Sequence, residues 1–422
     1  MRSDPRSLTR AVLWLGSASA LSRALDFAAI VLVIGLVSPD EVGRASLAWT
    51  MVALSEPFAN LGVGSGLLSM RQVDRLTLDS ALWLALFGGV CSALLLVWLA
   101  PLLAWLVSAP SVAPLIALSA LKLVPAAVAT VPQQRLARAL RQRELAAAGT
   151  LSTLISAALR VGLALGGFGA YAFVVAQIGY SLTLLGLCGW LAPWRPKLRV
   201  DQRRAHALLS LGLPATSSTG LGQWARNVDY LFVGAFMGME ALGLYRVAFD
   251  LAMEPVGAVG EVVARGAAAT LRKLAHSPAA LQQGFKRATG LVLASALPIG
   301  AIVFALAPSL LALLKDASFA PAASAARWLV VAAVLRALLG LYTPLAMAIG
   351  RPGLSLRSSL EMLVLLSSAL ALSLTALGRV LSIAAAGLAW CAALGVSLAL
   401  TRLRFRSALR APPRLDAKGM PR

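Results

Sequence analysis

Apolar runs of about 20 residues follow one another along this chain, separated by short polar or basic linkers, and nothing else restricts its fold as strongly. A run of that length spans a bilayer core as an α-helix, the conformation that satisfies every backbone N–H and C=O from within. Twelve such spans are predicted. The first six lie near residues 11–37, 45–69, 80–105, 111–131, 145–166 and 169–192. The second six lie near 207–236, 243–269, 288–314, 321–349, 355–377 and 380–401. Of the 422 residues, 59% are hydrophobic and only 13% are charged, a balance that a soluble globular chain of this size does not sustain. The first run is too long for a signal-peptide core and contains Arg23 and Asp26, so it is expected to remain as an uncleaved span. The linkers leave no room for a soluble domain.

Lys and Arg collect on one side of this pattern. The N-terminus, the even-numbered loops and the C-terminal tail hold 27 of them, against 3 in the odd-numbered loops (Arg44, Lys315 and Arg379). Both termini are therefore expected in the cytoplasm. The net charge of +21 is mostly this topological signal plus a basic skirt toward anionic lipid heads. A nucleic-acid partner is not expected, because no soluble module interleaves basic and aromatic residues. Cys91, Cys188 and Cys391 all lie in apolar runs, and His206 and His276 in basic loops, so neither a disulfide framework nor a metal site is expected.

The chain repeats itself. "SPDEVGRASLAW" (38–49) aligns with "GMEALGLYRVAF" (238–249) at an offset of 200, and "EPFANLG" (56–62) with "EPVGAVG" (254–260) at 198. Six spans per half make the repeats parallel, related by an axis along the membrane normal. The expected division is a first six-helix bundle over 1–192, a cytoplasmic linker over 193–206, a second bundle over 207–401 and a basic cytoplasmic tail over 402–422.

Charge inside the spans is concentrated on equivalent helices. The first and second spans carry Arg23, Asp26, Ser46, Glu56 and Asn60; their repeats carry Arg226, Asp229, Arg246, Asp250, Glu254, Glu261 and Arg265. From Arg246 to Arg265 the charged positions fall within roughly one 100° arc of a helix. Charge is costly against lipid, so this stripe is expected to face protein or a water-filled cavity, with the first, second, seventh and eighth spans surrounding it. An alternative stays open: Arg23 with Asp26 and Arg226 with Asp229 are i,i+3 pairs, and Arg246 with Asp250 is i,i+4, so each pair can be satisfied locally and only hold the bundle. Arg265 and Arg327, near span ends, are expected to snorkel to the interface. Arg336 and Glu361 lie outside the four cavity helices and can pair with each other. Glu56-Pro57 and Glu254-Pro255 place a helix-interrupting residue at matching points of the two halves, which makes Pro57 and Pro255 candidate hinges.

"SPDEVGRASLA", "NLGVGSGLL", "DYLFVGAFMGMEALGLYRVAFDLAMEP" and "FAPAASAARWLVVAAVLRALLGLYTPLAMAIGRP" resemble the bacterial oligosaccharide and polysaccharide flippases of the multidrug/oligosaccharidyl-lipid/polysaccharide exporter superfamily. One departure is that Gly243-Leu244-Tyr245 answers Gly43-Arg44-Ala45 in the first half. The resemblance implies an all-α membrane protein of two six-helix bundles, V-shaped around a central cavity and working by alternating access. The implied cargo is an undecaprenyl-diphosphate-linked oligosaccharide for O-antigen, capsule or exopolysaccharide assembly, with membrane lipids and other glycan-assembly proteins as partners. For such a cargo Arg23, Arg226 and Arg246 are the expected headgroup ligands, since guanidinium groups bind phosphate bidentately and keep their charge. Asp26, Glu56, Asp229, Asp250 and Glu254 are the candidate cavity or coupling acids. No cofactor is expected beyond possible coupling to H⁺ or Na⁺. A cation-coupled multidrug antiporter shares this architecture, but its cavity would favour acids over arginines. A membrane glycan ligase or polymerase would want a sizeable outer loop with catalytic groups.

Overall fold

The computed structural model describes residue 26 and residues 28–410, apart from 71, 195, 276, 315, 316, 352 and 377–382. Every regular element among them is helical. The chain divides into two compact units, Met1–Gln223 and Trp224–Arg422.

In the first unit, α1 (Pro39–Ala59) begins where Ser38, Pro39 and Glu41 fall together: the Ser38 hydroxyl caps the Glu41 N–H, and the Glu41 carboxylate accepts from the Ser38 N–H at 2.8 Å. Its end is equally local. Leu61 (φ 45°) and Gly62 (φ 74°) turn left-handed and break the predicted second span into α1 and a short α2 (Val63–Ser69). Pro57 itself stays within the helix. There follow α3 (Arg75–Leu106), α4 (Ala113–Ala120), α5 (Leu123–Arg138), α6 (Gln142–Leu165) and α7 (Ala170–Leu191). Val63, Leu67, Leu78, Ala81, Ala85, Ala127, Val131 and Leu208 form a buried apolar core among α2, α3, α5 and the next helix. Small residues bring these backbones together. A Cβ on Gly62 would lie 2.3 Å from the carbonyl carbon of Gly212, and one on Gly66 2.6 Å from the Leu208 oxygen. Residues 193–201 are tied to the same unit, with Trp83 Nε1 donating to the Lys197 carbonyl at 2.9 Å and the Asp201 N–H to Ser80 Oγ at 3.0 Å.

Asp74 caps α3. Its carboxylate accepts from the Thr77 hydroxyl and from the Thr77 N–H at 2.9 Å, and it pairs with Arg204 at 2.9 Å. The Thr77 hydroxyl above all, aided by the Thr77 amide and Arg204, holds the Asp74 carboxyl below its usual value of 3.8. A carboxylate with a depressed folded pKa contributes stability above its unfolded pKa and loses it as the pH falls through the folded one. Asp74→Ala should therefore cost about 1 kcal/mol at neutral pH, with the gap to wild type closing as the pH drops well below 3.8. Thermal unfolding in detergent at neutral and acid pH measures it; a gap of the same size at both would refute the assignment.

The seventh and eighth predicted spans merge into one helical run, α8 (Gln202–Leu274), whose 73 residues are interrupted only at Gly238. There φ is 87° and ψ 178°, a combination that is essentially glycine's alone. The chain doubles back at this one residue, so the predicted outer loop at 237–243 reduces to a single-residue turn within the second unit. The second half runs as an unbroken helix through Pro255, unlike its repeat. Beyond it come α9 (Pro278–Ala312), α10 (Ala322–Gly340), α11 (Tyr342–Ala348), α12 (Gly353–Ala376) and α13 (Ile383–Arg410). In this unit α10 packs on α9 and α13, and α13 on α12. The last helix continues to Arg410, past the predicted end at 401.

Among the described residues nine helical segments are long and apolar enough to cross a membrane. One of them, Gly220–Leu274, has 55 residues; at 1.5 Å per residue that is roughly 80 Å of helix, folded back on itself at Gly238 and enough for two crossings. Most of the predicted first span lies outside the described residues. The chain is a multi-pass membrane protein.

Candidate functional site

The largest fully buried side chain, Trp390 on α13, meets α8 at the second unit's most polar point. Asp229 and Tyr245, nine residues before and seven after Gly238, face each other across the hairpin, and the Tyr245 hydroxyl donates to Asp229 Oδ2 at 2.7 Å. Trp390 Nε1 donates to the same oxygen at 3.1 Å and to the Tyr245 hydroxyl at 2.8 Å. Asp229 is 0% exposed, and among the described residues its Oδ1 has no hydrogen-bond partner. Aromatic rings close the site. Tyr230 meets Tyr245 and Phe249 edge-on, with centroids 5.7 and 5.6 Å apart, and Phe249 lies 5.9 Å from Trp390.

The arginines stand around these rings. Arg246 pairs with Asp250 at 2.7 Å, and its Cζ lies 5.2 Å from the Tyr230 centroid. Arg336, from α10, places Cζ 5.9 Å from the Trp390 centroid. Arg226 is exposed, and its charged neighbours include Arg336 and Glu261. Glu254, also exposed, lies one turn beyond Asp250 and within the field of Arg246. The second unit thus brings Arg226, Arg246, Asp229, Asp250 and Glu254 to one aromatic-lined region.

Two expected local pairs resolve differently. Arg226 and Asp229 do not form an i,i+3 pair, because the acid is turned inward to Tyr245 and Trp390 while the arginine stays outside. Glu361 pairs with Arg357, at 3.1 Å, and with Arg404 on α13, rather than with Arg336. The i,i+4 pair of Arg246 with Asp250 forms as expected, and the expected pair of Arg23 with Asp26 lies partly outside the described residues.

In the first unit, Asp26 accepts from Arg160 of α6 at 3.0 Å. Arg160 is only 4% exposed and also lies over the Phe173 ring. Glu56 is 3.9 Å from Lys122, which immediately precedes α5. Asn60 accepts from Thr130 at 3.1 Å, and Ser46 bonds the Val42 carbonyl, so both serve helix packing. Arg23 lies outside the described residues. Pro57 lies two residues before the end of α1, and Pro255 sits mid-helix. Among the described residues no group of three or more His, Cys, Asp or Glu assembles to hold a metal ion. Lys122 and Arg160 are legible in the sequence as basic residues within spans, but their partners are not; Tyr245 and Trp390 were missed as site members. The Gly-Leu-Tyr signature that marks Tyr245 was the one signal available.

An all-helical, two-unit membrane chain with this internal repeat has solved counterparts among transporters. The inward-facing structure of a multidrug resistance MATE family transporter of the MOP superfamily aligns with a TM-score of 0.70 at 16% identity, covering 92% of this chain and 95% of that one. The lipid II flippase MurJ, in an inward closed conformation, aligns with a TM-score of 0.74 at 12% identity, covering 94% and 89%. These define the fold class. Within it, residues 32–323 match the family model described as polysaccharide biosynthesis protein, and the chain belongs to that family. Relatives include the amylovoran biosynthesis protein AmsL of Erwinia amylovora, 25% identical over 55% of this chain and 60% of that protein. Others are the teichuronic acid biosynthesis protein TuaB of Bacillus subtilis (24%, over 57% and 50%) and the lipopolysaccharide biosynthesis protein WzxC of Escherichia coli (21%, over 60% and 52%). The chain thus spans half to three fifths of the length of these relatives.

Proposed function

We propose that this protein flips a lipid-linked oligosaccharide, of the undecaprenyl-diphosphate type, from the inner to the outer leaflet of a bacterial inner membrane by alternating access. Its product feeds O-antigen, capsule or exopolysaccharide assembly. The observation that carries this reading is the polarity of the second unit's aromatic region. Asp229 is sealed behind Tyr245 and Trp390, out of reach of a cationic solute, whereas Arg246 and Arg336 border the same rings and Arg226 has Arg336 as a charged neighbour. Guanidinium groups are weakly hydrated and planar, so they bind phosphate oxygens bidentately at low desolvation cost. That polarity also weighs against a cation-extruding antiporter, whose fold is similar. Both termini are assigned to the cytoplasm, Pro57 and Pro255 to hinge motion, and Asp250 with Glu254 to proton or sodium coupling.

Surface glycan measured in a flippase-deleted host, at matched membrane protein levels, tests the reading. Losing one bidentate, charge-assisted contact is worth about 1.5–3 kcal/mol, so Arg226→Ala and Arg246→Ala should each lower export by roughly tenfold or more. Arg23→Ala extends the series to the first unit. Normal glycan from all three variants would sink the headgroup role and favour the antiporter, which drug efflux assays would then reveal. Glu254→Gln exporting normally at every external pH and sodium level would exclude coupling at that acid, and wild-type export from a Pro57→Ala/Pro255→Ala double variant would exclude the hinges.

Topology has its own check. Glu240 is exposed beside the Gly238 turn and Arg199 is exposed in the basic joint. In a cysteine-free background an impermeant thiol reagent applied from outside should modify Glu240→Cys and spare Arg199→Cys. The reverse pattern would invert the orientation.

A further inference from the structure

The helix 239–274 and α10 touch where Gly260 packs against Ala337, close enough that a Cβ on Gly260 would lie 2.8 Å from the Ala337 Cβ. Beyond that contact they separate. An open cleft of about 390 Å³ lies between Arg265, Ala268 and Arg272 on one wall and Thr343, Pro344 and Met347 of α11 on the other. It is complete within the second unit. Arg265 and Arg272 are seven residues apart, hence on one face and roughly 10 Å apart along the axis. Both are exposed, and among the described residues neither has an ion-pair or hydrogen-bond partner. This sets them apart from Arg160, Arg246 and Arg404, each of which has a carboxylate. Thr343 adds a hydroxyl, held 3.1 Å from Ser355 Oγ. Apart from Glu261, the rest of the lining is apolar or glycine.

Two unpaired guanidinium groups at the mouth of an apolar, open-sided cleft fit an amphiphile with an anionic head. A free phosphate would leave the apolar floor unused, and a sugar would find only one hydroxyl to bond. Lys273, next to Arg272, is exposed as well and adds a third cation, as in headgroup sites between membrane helices. Glu261 stands one turn deeper on the same wall and repels an anion from moving further in. We propose that this cleft binds an acidic glycerophospholipid of the bilayer, its phosphate between Arg265 and Arg272 and an acyl chain along Ala264, Ala268, Pro344 and Met347. Apart from Glu261, which is also a charged neighbour of Arg226, the cleft shares no residue with the aromatic region, and the proposal does not depend on what the protein transports.

Native mass spectrometry of the purified full chain, supplied with phosphatidylglycerol, diphosphatidylglycerol or phosphatidylethanolamine at equal concentration, reads the site directly. The acidic lipids should be retained about tenfold more than phosphatidylethanolamine. Arg265→Gln/Arg272→Gln should fall to the phosphatidylethanolamine level, while Arg402→Gln, exposed on α13, should match wild type. Ala268→Phe fills the cleft with both arginines intact and should lose the acidic lipids too, which keeps the test decisive if the arginine variant folds poorly. Undiminished retention in a folded cleft variant would overturn the proposal. Displacement of phosphatidylglycerol by polyprenyl diphosphate at lower concentration than by phospholipid would also overturn it, placing the cleft on a cargo route.

Discussion

Gly212→Val is expected to leave little folded protein in the membrane, and Gly212→Ala to lower the unfolding temperature in detergent sharply. A Cβ at position 212 would sit 2.1 Å from the Gly62 carbonyl oxygen, where no side chain can rotate away because both neighbours are backbone. Gly62 in turn holds φ at 74°, so it has little freedom to retreat. The α2 and α8 backbones would have to separate, which would also loosen Leu67 and Leu208 in the core below. Overpacking of a core typically costs about 1–3 kcal/mol, and a contact with no yielding side chain belongs at or above the upper end. Glycines without close neighbours give the control. Gly186 on α7 has nothing within 4 Å of its Cβ position, and Gly186→Ala should behave as wild type. Equal stability of Gly186→Ala and Gly212→Ala would show that the crossing at Gly62 is not tight.

Trp390→Ala should be the most damaging single change in the second unit. It empties a nearly fully buried indole site and removes a donor from Asp229 and from the Tyr245 hydroxyl at once. Large-to-small changes of this kind cost about 3–5 kcal/mol, and a buried acceptor left short of a donor adds roughly 1–3 kcal/mol. Trp390→Phe separates the two effects, since it keeps most of the packing against Phe249 and loses only the N–H. Thermal unfolding should rank wild type above Trp390→Phe, and that above Trp390→Ala. If Asp229→Asn restores Trp390→Phe, the damage lies in the unsatisfied carboxylate; if it does not, packing alone sets the loss. A Trp390→Ala variant as stable as wild type would remove the triad from any structural account.

The contrast between Arg246 and Asp229 shows how far the sequence could be read. Helical class, the basic asymmetry and most spans follow from hydropathy and charge, which are local. The Arg246–Asp250 pair was legible because its members are one turn apart on the same helix. Asp229 looked like a partner for Arg226 by the same rule, yet its donors lie 16 and 161 residues away. Periodicity tells which face a residue occupies, but not which helix that face meets. Asp26 finds Arg160 at a separation of 134 residues, beyond any local rule. Trp390 sits in a run of Ala, Leu and Gly, and only packing reveals that its N–H completes a polar site. The Glu-Pro motif was legible as sequence, but the path of the backbone around it was not: the helix continues through Pro255, and the break near Pro57 is made by Leu61 and Gly62.

Joining two helices through Gly238 alone also sets an order of events during synthesis. A ribosome adds about 5–20 residues per second. Tyr245, 16 residues downstream, therefore reaches Asp229 within about one to three seconds, before the second half of the hairpin is complete. Trp390, 161 residues downstream, follows only about 8–32 seconds after Asp229. For most of that time the tyrosine is already in the chain and the indole is not. The nascent second unit therefore passes through an interval in which its most costly group lacks one of its donors, and that interval closes only when the last helix emerges.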